Sequence, residues 1–245
     1  MLNKKVGFYH TLTSQEKDKF EKLIYRFLVE IPVVGVKTTV SETIAVLVAA
    51  SASIPVFSFK NWSYNKLKQV LIVDNKITLD SDKLATGVVY DYGTHHIMHL
   101  SKQALLQGFQ TMNDRKNVGI HEFAHILDAL DGKIDGIPES FLEGKHIIEW
   151  KKIIEIESEK IKNKKSRIDK YAITNSAEFF AVTSEYFFEN PIFLQKEHPK
   201  LYDFLTKIYE QDPIHTYKIN FREILLPSKG ISRNCLLYTS PSPRD

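Results

Sequence analysis

The sequence is poor in cysteine, in net charge and in long apolar runs, and each shortage removes a class of protein. Its 245 residues include one cysteine, Cys235, which excludes a disulfide framework and a cluster of thiolate metal ligands. Lys and Arg number 33 against 30 Asp and Glu, so the net charge of +3 is far from the basic excess of a dedicated nucleic-acid binder. We therefore expect no direct nucleic-acid partner.

The most apolar stretch, TIAVLVAASASIPVF at 43–57, is too short and too interrupted for a membrane span. It contains two serines and Pro55, whereas a span needs roughly 20 predominantly apolar residues. The start of the chain likewise lacks the apolar core and small-residue cleavage site of a secretory signal. These shortages predict a cytoplasmic protein with no membrane partner.

The last eleven residues, CLLYTSPSPRD at 235–245, differ in character from the rest. When back-translated they resemble the end of a transposon-type DNA-sequencing adapter read in frame, which indicates read-through during sequence assembly. An ordinary disordered tail rich in serine and proline is the alternative, and neither carries function. We expect one domain over residues 1–234, followed by this tail.

The first half of the chain mixes helix and strand patterns. Thr13 and Glu16 form a capping-box sequence ahead of apolar residues at helical spacing, and a second helix is predicted over 41–55. QVLIVD at 69–74 is typical of a strand, and GVVYDYGTHHIMHLS at 87–101 predicts a strand or a hairpin.

The second half is predicted to be mainly helical. Breaks at glycine and proline divide it into helices at roughly 115–130, 140–165, 174–189 and 197–210. A mixed first half followed by a helical second half predicts an α+β fold.

The stretch GIHEFAHILDAL at 119–130 places three ionisable side chains in an apolar helix. His121 and His125 are four residues apart, so both imidazoles lie on one helix face and can bind the same ion. Glu122 follows the first histidine, where a carboxylate reaches the attacking water instead of the ion. This is the HExxH pattern of zinc peptidases. A hydrogen-bonded core pair of histidines is the weaker alternative, because burying all three groups without an ion is costly.

A catalytic zinc site needs a third protein ligand and one open position. The segment SAEFFAVTSEYFFENP contains Glu178 and Glu185, which are seven residues apart and therefore share a helix face. We expect one of them to bind the metal and the other to hold a ligand histidine from behind. Spacing leaves open which does which, and solvent exposure is the alternative for Glu185.

Two further features adjoin the motif. Asp128 lies on the ligand face of the helix and is predicted to accept a hydrogen bond from an imidazole, unless it is simply an aspartate near a helix end. In THHIMHLS, strand alternation puts His95, Ile97 and His99 on one face. We interpret this segment as an edge strand on which an extended peptide pairs, with its histidines touching substrate. A second metal pair of His95 and His99 is the weaker interpretation, because no third ligand is near.

Three segments, HEFAHILDALDGKIDGIP, DKYAITNSAEFFAVTSEYFFENP and YEQDP, together resemble the MtfA family of cytoplasmic zinc peptidases. The family pattern is HEFAH-x-LD, a glycine-bearing loop ending in proline, and a tyrosine seven residues before the glutamate of PAE-C/F-FAV-x-SEYFF. The resemblance extends from Thr13 to about Pro213 and is most specific over 119–190. Ser176 stands where the family often has proline, at a helix start that serine also suits.

The resemblance implies a zincin-like fold, in which a small twisted mixed sheet packs on the HExxH helix. It implies one zinc ion per chain, with His121, His125 and Glu178 as its ligands. It also implies Glu122 as general base and acid and Tyr171 as a catalytic tyrosine.

The implied function is a zinc peptidase with aminopeptidase-like activity on short peptides. Enterobacterial members of the family also sequester the Mlc transcriptional repressor. The alternative is therefore a regulatory protein that binds a transcriptional repressor and whose zinc is structural or vestigial. A closed site with four protein ligands would favour regulation, and three ligands with Glu122 free would favour the enzyme. We favour the enzyme, because every residue needed for catalysis is present.

Overall fold

A computed structural model describes residues 1–79, 82, 84–111 and 115–215. Within these residues strands and helices mix in the first half, and the second half is helical, so the predicted α+β class is confirmed. In chain order the elements are α1 Leu2–Lys5, α2 Gly7–His10, α3 Ser14–Glu30, β1 Val33–Gly35, α4 Glu42–Ser53, β2 Leu67–Val73, β3 Ile77–Thr78, β4 Leu84–Ala85, β5 Gly87–Asp91, β6 His96–Ser101, α5 Lys102–Gly108, α6 Val118–Asp128, α7 Lys145–Lys162, α8 Ser176–Glu189, α9 Pro191–Glu197 and α10 Pro199–Tyr209. Short 3-10 turns lie at Ala129–Asp131, Glu139–Phe141 and Lys170–Ile173.

Local capping explains where the first long helices begin. The backbone N–H of Thr13 donates to the Glu16 carboxylate at 2.8 Å, and the N–H of Glu16 donates back to the Thr13 hydroxyl at 3.4 Å. The predicted capping box is therefore present at the start of α3. Ser41 caps α4 in a similar way by accepting from the N–H of Ile44.

The four-stranded sheet has the order β1, β2, β6, β5. β1 and β6 pair with β2 in parallel, whereas β5 pairs with β6 antiparallel across the turn after Asp91. β6 is thus an inner strand and β5 is an edge strand. The prediction of an edge strand through Ile97 and His99 is wrong, because β2 and β5 already occupy both backbone edges of β6. His95 precedes β6 and lies in the turn.

The alternation predicted along β6 matches the burial. His96, Met98 and Leu100 are buried, and Ile97 and His99 are half-buried on the opposite face. The two faces of the sheet therefore differ, and the buried face is the one that packs on the core.

The core lies between this sheet and the helices α4, α6 and α8. Eight of the twelve residues of α4 are buried, so the helix predicted over 41–55 is a core helix. α6 packs against α4, α8, β5 and β6. The ring of Phe123 on α6 meets Phe27 of α3 at 5.6 Å and Tyr64 at 5.2 Å between centroids. Among the described residues no helix combines the length and apolarity that a bilayer crossing needs.

Residues 216–245 lie outside the described part of the chain. The predicted domain over 1–234 and the tail at 235–245 therefore stay predictions.

Candidate metal centre

The HExxH residues lie on α6, in the interior of the protein. Asn117 begins this helix by accepting a hydrogen bond from the N–H of Ile120 at 3.2 Å, and every residue from Gly119 to Asp128 is buried. His121 and His125 lie one turn apart, with their Nε2 atoms separated by 3.2 Å. The helical spacing thus brings two imidazole nitrogens to one point.

The N-terminal turn of α8 brings a carboxylate to the same point. Asn175 caps α8 by accepting from the N–H of Glu178 at 2.8 Å. Oε2 of Glu178 lies 3.0 Å from Nε2 of His121 and 3.7 Å from Nε2 of His125. Two helices distant in sequence therefore supply three donor atoms.

These three atoms fit a tetrahedrally bound metal ion. Nitrogen and oxygen ligands lie about 2.0–2.2 Å from zinc, so atoms at neighbouring corners of the tetrahedron are roughly 3.3 Å apart. The observed separations of 3.0, 3.2 and 3.7 Å bracket that value. Oε2 of Glu178 is also buried without a hydrogen-bond partner among the described residues. An ion among the three atoms would satisfy it.

The charge balance of the centre also favours a cation. Burial raises the pKa of Glu122. Burial alone would lower the pKa of His121, but the carboxylates of Glu178 and Glu185 outweigh it and hold that pKa well above the ordinary value. Burial alone would raise the pKa of Glu178, but the two histidines together outweigh it and lower that pKa. Three carboxylates thus surround two imidazoles, and an ion would supply the missing positive charge.

Glu185 holds the first histidine from behind. Its Oε1 lies 2.8 Å from Nδ1 of His121, and its Oε2 accepts from the N–H of Asn117 at 2.5 Å. With Nδ1–H donating to Glu185, the Nε2 lone pair of His121 points to the metal position. Glu185 is 8% exposed, so it is not a solvated surface acid.

Glu122 is not one of the three residues whose donor atoms can share an ion. Its side chain is 4% exposed and rests against Gly87, the first residue of the edge strand β5. The carboxylate therefore lies against the edge strand of the sheet, close enough to His121 and His125 for their charges to affect its pKa.

Tyr171 lies beside His121 and is exposed. Its ring centroid is 6.1 Å from that of His121, and the side chain is 51% exposed. The N–H of Tyr171 donates to the carboxylate of Asp169 at 2.9 Å, which fixes the start of the 3-10 turn. Burial and the nearby Glu178 carboxylate raise the pKa of Tyr171 to about 12. The phenol is therefore protonated at neutral pH.

Asp128 does not contact an imidazole. Its Oδ2 accepts from the N–H of Gly136 at 2.7 Å, and no hydrogen bond joins it to His121 or His125 in the described part of the chain. The predicted bond is not formed, because α6 ends at Asp128 and the carboxylate holds the returning loop. Burial raises the pKa of Asp128 to about 7.

The residues proposed to touch substrate on β6 lie away from the metal centre. Gly87 of β5 faces Glu122, and Gly87 pairs directly with Leu100 of β6. Leu100 therefore shares the face that meets α6, and Ile97 and His99 project from the opposite face. His95 stacks on Tyr92 in the turn, with 5.1 Å between ring centroids.

Sequence reasoning missed three supporting residues. Asn117 caps α6. An asparagine directly before the first residue of a helix is an N-cap signal, so a search for caps would have found it. Gly136 packs closely on the start of α8: a Cβ added to it would lie 2.7 Å from the backbone N atom of Ala177. Its carbonyl accepts from the indole N–H of Trp150 at 2.8 Å. The loop thus ties α6, α7 and α8 together near the centre.

Comparison with known proteins places these features in a family. The sequence model of the glucose-regulated metallo-peptidases M90 matches residues 1–210. An uncharacterized protein of Synechocystis, slr2042, is 28% identical over 232 residues, which cover 87% of this chain and 83% of that protein.

Proteins named Mlc titration factor A match a shorter part of the chain. The one from Salmonella schwarzengrund is 35% identical over 115 residues, 44% of this chain and 43% of that protein. The one from Pectobacterium atrosepticum is 34% identical over 119 residues, 43% of this chain and 44% of that protein. The match thus spans less than half the length of these two relatives.

Proposed function

We propose that this chain, which belongs to the glucose-regulated metallo-peptidase M90 family, hydrolyses peptide bonds with one zinc ion per chain. The observation that carries the proposal is the convergence of one donor atom each from His121, His125 and Glu178 within 4.8 Å. Two imidazoles and one carboxylate form a donor set that zinc peptidases use.

His121, His125 and Glu178 would hold the ion. Three protein ligands leave one position of a tetrahedron open, which favours a catalytic ion over a structural one. A zinc ion bound there supplies a Lewis acid that polarises the substrate carbonyl and makes water more acidic.

Glu122 is the proposed general base and acid. Its carboxylate is coupled electrostatically to His121, His125 and Glu178 without belonging to the group that can share an ion, so it is free to take a proton from the attacking water and to pass it to the leaving amine. Burial raises its pKa, and a carboxyl with a raised pKa holds a transferred proton better than an exposed one.

Tyr171 is the proposed donor to the oxyanion. Its pKa of about 12 keeps the hydroxyl protonated, and its ring lies beside that of His121. A hydrogen bond to the developing negative charge of the tetrahedral intermediate would stabilise the transition state by a few kcal/mol.

The edge strand β5 is the proposed docking site for the peptide. We propose a zincin-like arrangement in which α6 packs on the mixed sheet and an extended substrate adds to the outer edge of β5, which pairs with no strand among the described residues. Support comes from the sheet order, in which β5 is antiparallel to its neighbour, and from the contact of Gly87 with Glu122. This role replaces the one predicted for β6.

Repressor binding is the second candidate function. Relatives carry the name Mlc titration factor A, and the MtfA resemblance implies that Mlc is a transcriptional repressor. A protein that titrates such a repressor would also fit a cytoplasmic location.

Within the peptidase proposal, we further propose aminopeptidase-like action on short peptides.

The test combines metal content with hydrolysis of amino-acid anilides and N-blocked peptides. The variants are Glu122→Gln and, as a matched control, Glu143→Gln, which changes an exposed glutamate in the loop before α7. We expect about one zinc per chain in all three proteins. Glu122→Gln should lower kcat by about 10²–10⁴-fold, the range for loss of a general base, and the control should not.

Hydrolysis of anilides but not of N-blocked peptides would establish aminopeptidase action. Zinc binding with no hydrolysis of any substrate by the wild type would refute the peptidase proposal. Binding of a repressor would then become the leading function.

A further inference from the structure

Gly87 stands where the edge strand comes closest to Glu122. A Cβ added to Gly87 would lie 2.6 Å from Cγ and 2.7 Å from Cδ of Glu122, and closer still to Oε1. Gly87 is not among the residues with positive φ, so its backbone conformation does not require glycine. Lack of space explains the missing side chain, and Glu122 occupies that space.

Neither the backbone of β5 at Gly87 nor the helix that carries Glu122 has room to move away. Gly87 pairs with Leu100, which is fully buried, and the N–H of Ser101 donates to the carbonyl of Thr86 at 2.8 Å. Glu122 lies on a helix whose residues from Gly119 onward are all buried. The end of the Glu122 side chain is therefore the part that would yield to a methyl group on residue 87.

We propose that Gly87 is a positioning residue for Glu122, an inference that rests on the proposed function of Glu122 as general base. The bare backbone of β5 lets the carboxylate lie directly between the metal position and the strand on which the peptide pairs. Any side chain at position 87 would turn the carboxylate away from the attacking water. Because the substitution does not alter the outer edge of β5, substrate binding would be affected much less than turnover.

The first experiment compares Gly87→Ala with Gly93→Ala. Gly93 lies in the turn of the same hairpin, and a Cβ there has nothing within 4 Å. Both variants add one methyl group to the hairpin, and the control also carries the strain of φ +76. For Gly87→Ala we expect kcat to fall about 10²-fold, as for misplacement of a reacting group by about 1 Å, with KM and zinc content close to wild type.

Two results of this comparison would overturn the inference. One is a wild-type kcat in Gly87→Ala while Glu122→Gln is inactive. The other is an equal loss of kcat in Gly93→Ala, which would trace the effect to a weakened hairpin. Hydrolysis that persists in Glu122→Gln would instead overturn the proposed function, so the two failures are distinguishable.

The second experiment measures the contact without any peptidase assay. Thermal unfolding of the metal-free protein is followed for Gly87→Ala in the wild-type background and in the Glu122→Ala background. We expect Gly87→Ala to lower Tm in the first background and to leave it unchanged or higher in the second, where the carboxylate no longer occupies the space. Equal shifts of Tm in both backgrounds would show that the two residues do not interact, and the inference would fail.

Discussion

The metal centre and the junction between α7 and α10 both bury a histidine against a glutamate, but they satisfy these groups differently. At the junction, Nδ1 of His198 lies 2.5 Å from Oε2 of Glu157, and Nε2 lies 3.1 Å from the hydroxyl of Ser166. Oε1 of Glu157 accepts from the ammonium group of Lys160 at 2.7 Å. Each of these polar atoms has its own partner.

At the metal centre the partners are incomplete. Two Nε2 atoms face each other, and Oε2 of Glu178 and Nδ1 of His125 have no hydrogen-bond partner in the described part of the chain. The junction also contains its own cation, Lys160, whereas the centre adds a further buried acid, Glu122. The difference is the one expected if a metal ion takes the place of the missing proton donors and cation at the candidate centre.

Among the variants that test this difference between the two clusters, Glu178→Gln is expected to have the largest effect. The variant removes the charge of a proposed ligand, so we expect metal affinity to fall by more than about 100-fold, beyond the range for loss of an outer partner. Metal content and chelator competition measure this. Glu157→Gln is the control, because it breaks the other cluster and should retain the metal. Equal metal loss in both variants would contradict the distinction.

A smaller effect is expected from Glu185→Gln. The amide oxygen can still accept from Nδ1 of His121, but the charge that orients and polarises the ring is lost, so metal affinity should fall by about 10–100-fold. Glu189→Gln is a matched control on the same helix: its carboxylate accepts from Lys116 and Asn117 at the start of α6. Calorimetric titration with zinc should separate the two. An unchanged affinity in Glu185→Gln would mean that His121 is held by helix packing alone.

The smallest effect on function, and the clearest on stability, is expected from Glu157→Gln. Burial would raise the pKa of Glu157, but His198 and Lys160 outweigh it and lower that pKa. A lowered folded-state pKa gives stability that is present above the ordinary carboxyl pKa and is lost as pH falls through the folded value. At pH 7 we expect the variant to be less stable by roughly 3 kcal/mol, as for a broken buried pair.

Urea unfolding over a pH series tests this prediction. The difference in free energy of unfolding between wild type and Glu157→Gln should shrink as the pH falls below the ordinary carboxyl range. A difference that stays constant with pH would show that Glu157 contributes by packing and not by charge.

Local patterns predicted much of the fold. The capping box and helical spacing predicted α3, and apolar composition predicted α4, because caps and periodicity depend on neighbours in sequence. The predicted helices of the second half correspond to α6, α7, α8 and α10. The short elements were not predicted, because segments of two to seven residues take their structure largely from what they pack against; they are α1, α2, β1, β3, β4, α5 and α9.

The features of the candidate site likewise depend either on neighbours in sequence or on distant segments. The four-residue spacing of His121 and His125 placed both on one helix face. The motifs indicated the MtfA family, and membership of the M90 family confirms this. By contrast, the prediction that β6 is an edge strand was wrong, since strand order depends on pairings between distant segments. The bond from Asp128 to Gly136 depends likewise on the path of a loop.

The sequence by itself determined which side chains can meet along one helix, because the α-helical repeat is a property of the backbone. Only the tertiary structure decided what meets between elements. It placed Glu178 against the two Nε2 atoms and Glu185 behind His121, a choice that their shared helix face left open and that the MtfA resemblance had indicated. It also brought Gly87 against Glu122. The physical reason is that contacts between distant segments are selected by packing of the whole core, in which each space can hold only one group.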